Sequence, residues 1–375
     1  MKALYEVGVE IIATPYQGPA IEAPWWRAEP NPARWQGDTF KLLRDAARRL
    51  LGEPPPAQLD EDAAAVPAGE SANDRIVRQV AQTLIAPLWL RHLDRILTDE
   101  PDVDAVIFLT VPLNHLVGVA RAIQERHDKP VLYYDGDVPA SLPNMSGFAT
   151  GFRIYQGADP AEYAAFISNS LGGEALLKAL GARAVHTVYY GADPDLFSPV
   201  PVSEQDLDVF FYGHGREYRA AWIQAMITEP SHALLDARFA VRGTKLGDLG
   251  TAIMLPYLSF SKLREYACRS KLNLCITRRA HASVYASSSS RPFELASMGC
   301  CIVANPYAGI EEWFEPEREL IVVGSAEEAV ERYRQLLAHD GDRLALGRAA
   351  RERVLKEHTF RHRARQLVEI IQEYL

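Results

Sequence analysis

The stretch from Ser287 to Phe314, SSSSRPFELASMGCCIVANPYAGIEEWF, constrains the chain most, because it sets a run of small polar residues before a helix start, a short apolar run and a second helix start. Pro292 suits a first helical turn, where its missing N–H has no partner to lose, and Gly299 suits a left-handed helix stop. The spacing predicts a helix of about two turns. Cys300 to Ala304 follow as a short apolar run closed by Asn305-Pro306, the pattern of a parallel strand covered on both faces. Loop, helix, strand and helix in that order describe an α/β unit. In such a sheet ligands gather where strand ends meet helix N-termini, whose N–H groups favour a phosphate. Glu294, in the first turn, suits ribose hydroxyls; the same carboxylate also favours the helix dipole with no ligand at all. A serine run serves equally as a polar loop, so pattern alone leaves both readings open.

At 375 residues the chain is long for one domain and comfortable for two, and 48% apolar residues can fill two cores. A net charge of −9 argues against nucleic acid as the main partner, which demands a concentrated basic face. Local basic pockets remain open to Arg242 and to Arg278-Arg279. Cys268, Cys275, Cys300 and Cys301 lie in apolar surroundings without metal-ligand spacing and are expected as reduced core residues. The opening MKALYEVGVEIIATPY lacks the pattern of a secretory signal, and no apolar run reaches the ~18 residues of a bilayer span. The expectation is a cytoplasmic protein without a transmembrane segment; the oligomeric state is not legible.

Along the chain, Val7 to Ala13 reads as a strand ending at Thr14-Pro15. Trp25, Trp26 and Trp35 suit either the faces of sugar rings or packing onto the domain, and packing is the stronger reading. Gly52 to Glu70 is acidic and rich in Pro and Ala, an insertion with too few large apolar residues to build structure. Ser71 to Thr98 has helical spacing at Ile76, Val80, Leu84 and Leu88, with Leu93 and Leu97 following. Ala105 to Thr110 reads as a central parallel strand followed by a crossover helix that starts near His115. Val131 to Tyr134 is the next strand, and Asp135-Gly136-Asp137 puts two carboxylates at its carboxyl edge. Acid or base work, a plain turn and, below both, a metal are the readings of that pair. His115 suits the same cleft edge, although a lone histidine is more often structural.

Ala165 to Ser170, Gly172 to Leu180 and Ala184 to Tyr190 complete a first domain, 1–193. A linker, 194–205, is stiffened by prolines. The second domain, 206–357, opens on Val209 to Tyr212 and Gly213-His214-Gly215-Arg216, where glycines allow close backbone approach and the arginine suits a phosphate. Phe239 to Arg242 is a strand with Lys245 beyond it. Leu272 to Thr277 delivers Arg278 and Arg279 to a sheet edge. Ser325 with Glu328 reads as a capping box.

Three segments carry a family resemblance: YYGADPDLFSPV at Tyr189 to Val200, DVFFYGHGREYRAAW at Asp208 to Trp222, and Lys271 to Glu315 with LNLCITRR, RPFELASMGC and GIEEWFEPERELIVV. They resemble the CgeB-like, spore-maturation-type glycosyltransferases, which are related to glycosyltransferase family 4. The resemblance implies a GT-B fold, two Rossmann-like parallel-sheet domains facing across a cleft, with a tail helix, 358–375, returning to the first domain. It also implies that the first strand and its glycine loop usually come earlier, so that Met1 to Gly8 reads as the tail of a first helix; either this domain is abbreviated at its start or its start lies upstream. The implied reaction moves a sugar from a nucleotide diphosphate sugar to an acceptor, without metal or other cofactor.

Carried onto this sequence, the resemblance puts the diphosphate first on Arg278 and second on Arg291. The backbone from Ser287 to Ser290, Ser289 and Ser290 above all, would assist, and Glu294 would take the ribose. Gly213, His214, Gly215, Arg216 and Arg242 belong to the same nucleotide-sugar side, with Asp137, Asp135 and His115 facing the acceptor. Relatives carry a further Glu eight positions before the one matching Glu294; Ala286 stands there here, and that Glu's contact with the donor sugar lacks its carboxylate. Retention of anomeric configuration is what the resemblance implies, whereas inversion needs a base at Asp137 or Asp135. A nucleotide-sugar epimerase of the same architecture, or a degenerate sugar-binding or assembly protein, are the other readings.

Overall fold

Apolar runs bounded by turn residues become the parallel strands of two separate sheets. The computed structural model describes residues 1–51, 72–143, 154–215 and 219–375, so the 52–70 insertion lies outside the described residues, as does Arg216. The first half runs α1 (Lys2–Glu6), β1 (Ile12–Ala13), β2 (Arg27–Ala28), α2 (Arg34–Leu51), α3 (Ala72–Val80), α4 (Ala86–Asp99), β3 (Val106–Leu109), α5 (Val119–His127), β4 (Val131–Asp135), β5 (Ala165–Ser168), α6 (Gly173–Ala179) and β6 (Val185–Thr187). Its sheet has the order β3-β4-β5-β6, every pair parallel. Val131, Leu132, Tyr133, Ala165, Phe166 and Ile167 are inaccessible to solvent, as strands with both faces covered require.

The second half runs β7 (Leu207–His214), α7 (Ala220–Ile223), α8 (Glu229–Ala233), β8 (Phe239–Thr244), β9 (Ile253–Met254), α9 (Phe260–Arg269), β10 (Ser270–Cys275), α10 (Arg279–Ser283), α11 (Ser290–Ser297), β11 (Ile302–Ala304), β12 (Ile321–Val322), α12 (Ala326–Ala338), α13 (Asp340–Glu357) and α14 (Phe360–Gln372). The sheet order is β12-β11-β10-β7-β8-β9, again parallel throughout. Gly299 closes α11 at φ +73°, the left-handed stop that the sequence pattern predicts. After β11 the chain makes only a 3₁₀ turn, Ile310–Glu312, where a second helix start is expected.

Several local expectations are corrected. Val7 to Ala13 yields only the two-residue β1, paired with β2 outside the main sheets. Ile76, Val80 and Leu84 are exposed rather than buried. A π turn at Ala81–Ile85 between α3 and α4 breaks the helical register, so Ile76, Val80 and Leu84 stay outside while Leu93 and Leu97, further along the same stripe, join Ala86 and Trp89 in the core. Trp35 is 75% exposed and does not pack onto the domain. Ser325 does accept from the Glu328 N–H at 3.2 Å, but the Glu328 carboxylate takes the Gly324 N–H in place of the one a capping box uses. The complete capping box belongs to Thr359 and His362 at the start of α14. Among the cysteines, Cys275, Cys300 and Cys301 are buried free thiols and Cys268 is half-buried.

Among the described residues, two joints between the halves involve α14 and the serine run. α14 lays Leu367 and Ile370 against Leu132, Ala165, Ile167 and Val188 of the first sheet. At the second joint, Asn169 and Ser170 after β5 pair with Ser287 and Ser288 before α11, through Ser288 N–H to Asn169 O at 2.9 Å and Asn169 Nδ2 to Ser288 O at 2.9 Å. The carboxyl ends of both sheets therefore face one another.

Glu162 supplies a stability test within the first half. Its carboxylate is 3% exposed and accepts the Gly118 N–H at the start of α5 at 2.7 Å, while the other oxygen, Oε1, has no partner. Burial pushes this carboxyl up to about 7, against the helix-start N–H, which pulls it down. The folded protein thus holds this proton more tightly than the unfolded chain, so stability is greatest below the ordinary carboxylate range and falls as pH rises through about 7. Glu162→Gln is expected to remove that slope and to raise stability at pH 8 by about 2 kcal/mol. Urea midpoints at pH 5 and pH 8 check it, and parallel pH profiles for both proteins contradict it.

Candidate functional site

On the first-domain side, β4 ends at Asp135 and the chain turns through Gly136 and Asp137. Asp135 is fully buried and accepts from Ser141 Oγ at 2.6 Å, Tyr155 Oη at 2.5 Å and the Asp137 N–H at 2.9 Å. Burial raises its carboxyl above the ordinary range while these donors hold it down. It does not face the cleft: Asp135 organises the turn and Asp137 projects from it. Further bonds fix that turn, from Gly136 N–H to Thr110 Oγ1 at 3.2 Å, Tyr190 Oη to Gly136 O at 2.8 Å, Val138 N–H to Asn169 Oδ1 at 3.0 Å and Ser141 N–H to Asp137 O at 3.0 Å.

On the second-domain side, the chain runs on past the end of β10 to Thr277, whose N–H donates to Asn305 Oδ1 at 2.7 Å, and Arg278 precedes α10. Arg278 forms an ion pair with Asp137 across the cleft and donates from Nε to His281 Nδ1 at 2.8 Å. His281 is 2% exposed, and burial together with the Arg278 charge pushes it well below its ordinary value, so it stays a neutral acceptor. Arg291 lies over the Tyr212 ring, 3.5 Å from its centre, and donates to the Tyr212 carbonyl. Arg219 is placed by its Nε bond to Ile276 O at 3.1 Å. Ser289 precedes α11 without its side chain taking up a helix N–H.

These groups enclose a cleft of about 250 Å³ lined by Gly136, Asp137 and Tyr190 of the first half and by Tyr212, Gly213, Arg219, Thr277, Arg278, His281, Ser289, Ser290 and Arg291 of the second. Of the residues singled out in the sequence, Asp137, Gly213, Arg278, Ser289, Ser290 and Arg291 are brought together. Glu294 stands just behind them, its carboxylate 3.8 Å from Arg291 Nε. The others sit elsewhere. His115 is hydrogen-bonded to Tyr16 Oη at 2.8 Å and does not line the cleft. His214 is exposed against Thr244 Oγ1 at 2.7 Å, and Arg242 reaches over the Tyr257 ring, 5.2 Å from its centre. Gly215 presses on the next strand's loop, where an added Cβ would fall 1.8 Å from Lys245 O. All three lie at the carboxyl-terminal parts of β7 and β8: His214 ends β7, Gly215 follows it and Arg242 lies in the second half of β8.

The serine run divides in two. Ser287 and Ser288 are fully buried in the joint between the halves, Ser287 Oγ 2.6 Å from Ser170 Oγ and Ser288 Oγ accepting the Tyr190 N–H at 2.9 Å. Only Ser289 and Ser290 reach the cleft. Ala286 belongs to the same joint: it is fully buried at φ +46°, with its N–H on Ala308 O and its carbonyl taking the Leu171 N–H.

Tyr190, Tyr212, Arg219 and His281 escape the sequence reading. Arg219 is within reach as the next cation after the glycine loop, and His281 as the residue one helical turn past Arg278. Among the described residues no group of three or more His, Cys, Asp or Glu side chains could hold a metal ion, and no helix is long and apolar enough to cross a membrane.

Residues 216–369 match the family described as glycosyl transferase-like. No curated protein matches the sequence. Among solved structures, sucrose-phosphate synthase from Thermosynechococcus elongatus is 15% identical, covering 99% of this chain and 90% of that one at a TM-score of 0.61. The trehalose-6-phosphate synthase OtsA is 11% identical over 99% of this chain and 93% of that one, also at 0.61. Anabaena HepE in complex with UDP-glucose is 13% identical over 77% of this chain and 83% of that one, at 0.55. At these identities the likeness is one of fold: the chain has the GT-B architecture of two Rossmann-like domains facing across a cleft, and its second half carries the glycosyl transferase-like match.

Proposed function

We propose that the protein is a cytoplasmic glycosyltransferase of the CgeB-like kind, hexosyl-transferring, which moves a sugar from a nucleotide diphosphate sugar to an acceptor held against the first domain. One observation carries this reading: Arg219, Arg278, Arg291 and the start of α11 converge on a single cleft at the carboxyl ends of the second sheet, opposite Asp137. The hard step in such a transfer is departure of the diphosphate while the anomeric carbon gains positive character. Fixed cations and N–H dipoles aimed at the leaving group lower that barrier, and here they take the role a metal ion plays in other transferases. Glu294, behind Arg291, takes the ribose. The anomeric configuration is retained.

A thermal-shift screen against UDP-, GDP- and dTDP-sugars tests the donor assignment. One of them is expected to stabilise the protein by about 2.7 kcal/mol at a hundred times its dissociation constant. Glu294→Ala is expected to abolish most of that shift without unfolding the protein. The transfer product, formed undiminished in EDTA, is expected to keep the donor's anomeric configuration. A full shift in Glu294→Ala removes Glu294 from the site, and sugar isomerisation without an acceptor would identify an epimerase instead.

A further inference from the structure

The cation assigned to the diphosphate already holds an anion. Arg278 and Asp137 form their ion pair with 15% and 25% of the two side chains exposed, bridging the first domain to the second across the mouth of the cleft. With the pair in place the cleft measures about 250 Å³. That is below the ~300–1,000 Å³ of ordinary small-molecule sites, and a nucleotide diphosphate sugar is a large ligand. The two partners also differ in how they are fixed. The backbone of Asp137 is pinned on both sides, its N–H on Asp135 Oδ1 and its carbonyl on the Ser141 N–H, with Gly136 and Val138 tied to Thr110 and Asn169. Arg278, by contrast, reaches Asp137 through the far end of a long side chain whose Nε rests on the neutral His281 imidazole.

Resting on the reading of this cleft as a nucleotide-sugar site, we infer that the Asp137 carboxylate stands in for the donor's diphosphate on Arg278. In the empty protein the carboxylate holds the guanidinium and bars the cleft. An incoming diphosphate, carrying more charge and accepting from the same planar fork of N–H groups, displaces it. The guanidinium then turns within the second domain toward Arg291 and the start of α11, while the pinned carboxylate stays on the acceptor side. Asp137 is thereby released to meet an acceptor only after a donor has bound, which makes the binding order donor first.

Titration calorimetry with UDP, GDP and dTDP tests the exchange, using the wild-type protein, Asp137→Asn, Arg278→Ala and the double variant. Asparagine keeps the shape of the side chain and removes its charge; Asp137→Ser is the second variant should the first fold poorly. The nucleotide that binds the wild type is expected to bind Asp137→Asn about tenfold more tightly, or about 1.4 kcal/mol. Arg278→Ala and the double variant are expected to bind equally weakly. Unchanged or weaker binding by the Asp137 variants overturns the exchange while leaving the cleft as the nucleotide site. A tenfold gain that persists without Arg278 also overturns it, since Asp137 would then act by general repulsion of anions. Absence of binding by the wild type and by both Asp137 variants defeats the underlying assignment of the cleft instead.

Discussion

Arg278→Ala is expected to weaken nucleotide binding about a hundredfold, or about 2.7 kcal/mol, and to lower the rate of transfer by about 10²–10³-fold. At a ligand concentration that stabilises the wild type by about 2.7 kcal/mol, the variant should gain only about 0.4 kcal/mol, so its thermal shift nearly vanishes. The size follows from position. Arg278 projects from a strand end into the cleft, held by buried His281, where a charge-assisted bond to an anion is worth more than at an open surface. The fold should survive, because the Asp137 left behind is a quarter exposed and water can reach it. A shift and a turnover within threefold of wild type would remove Arg278 from the site.

The largest expected loss of stability comes from Gly309→Ala. Gly309 sits at φ +83°, and a Cβ there would lie 2.3 Å from the backbone nitrogen of Ala286 and 2.7 Å from its Cα. Neither atom is free to retreat, since the Ala286 N–H is bound to Ala308 O and its carbonyl to the Leu171 N–H of the other half. Backbone strain and a steric clash with backbone add, for a cost of about 3 kcal/mol or more. The urea midpoint, followed through tryptophan fluorescence, measures it. Because Ala286 adjoins the serines that join the halves, nucleotide binding should weaken with it. A loss below about 1 kcal/mol would show that the joint yields easily.

Local chemistry makes α11 and the strands legible in the sequence. Pro292 in the first turn and Gly299 just past the last mark the two ends of that helix, and apolar runs such as Val131 to Tyr134 mark strands covered on both faces, whereas Ala105 to Thr110, expected as a central strand, lies at the edge of its sheet with Leu109 exposed. Arg278, Ser289, Ser290, Arg291, Gly213 and Asp137 stand out because each follows a strand end or opens a helix, and the sheet order brings those ends to one cleft. What stays hidden depends on partners far away in sequence. Ser288 and Asn169 stand 119 positions apart, so no periodicity reveals that half of the serine run joins the domains. Asp135 and Asp137 look equivalent as a pair of carboxylates; only the tertiary donors Ser141 and Tyr155 turn one inward. The π turn after Val80 splits one apolar stripe, leaving Ile76, Val80 and Leu84 exposed and Leu93 and Leu97 buried, an outcome that a strict helical period excludes.

Ala286 illustrates the interplay of sequence and structure at the site. From the sequence it reads as a missing carboxylate; in the fold that position lies in the joint, fully buried beneath Gly309, and points no side chain into the cleft. Among the described residues Asp137 is the carboxylate that lines the cleft, and it pairs with the arginine assigned to the leaving group. On the proposed reading, the chemistry of transfer rests on the cations of the second domain and on one pinned carboxylate of the first.

The most direct measurement is a difference electron-density map from crystals soaked with UDP, GDP or dTDP. The expected result is a diphosphate between Arg278, Arg291 and the N–H groups that open α11, with its ribose beside Glu294 and the Arg278 guanidinium turned away from Asp137. Density for the nucleotide at any other place, with the Arg278–Asp137 pair intact, would contradict it.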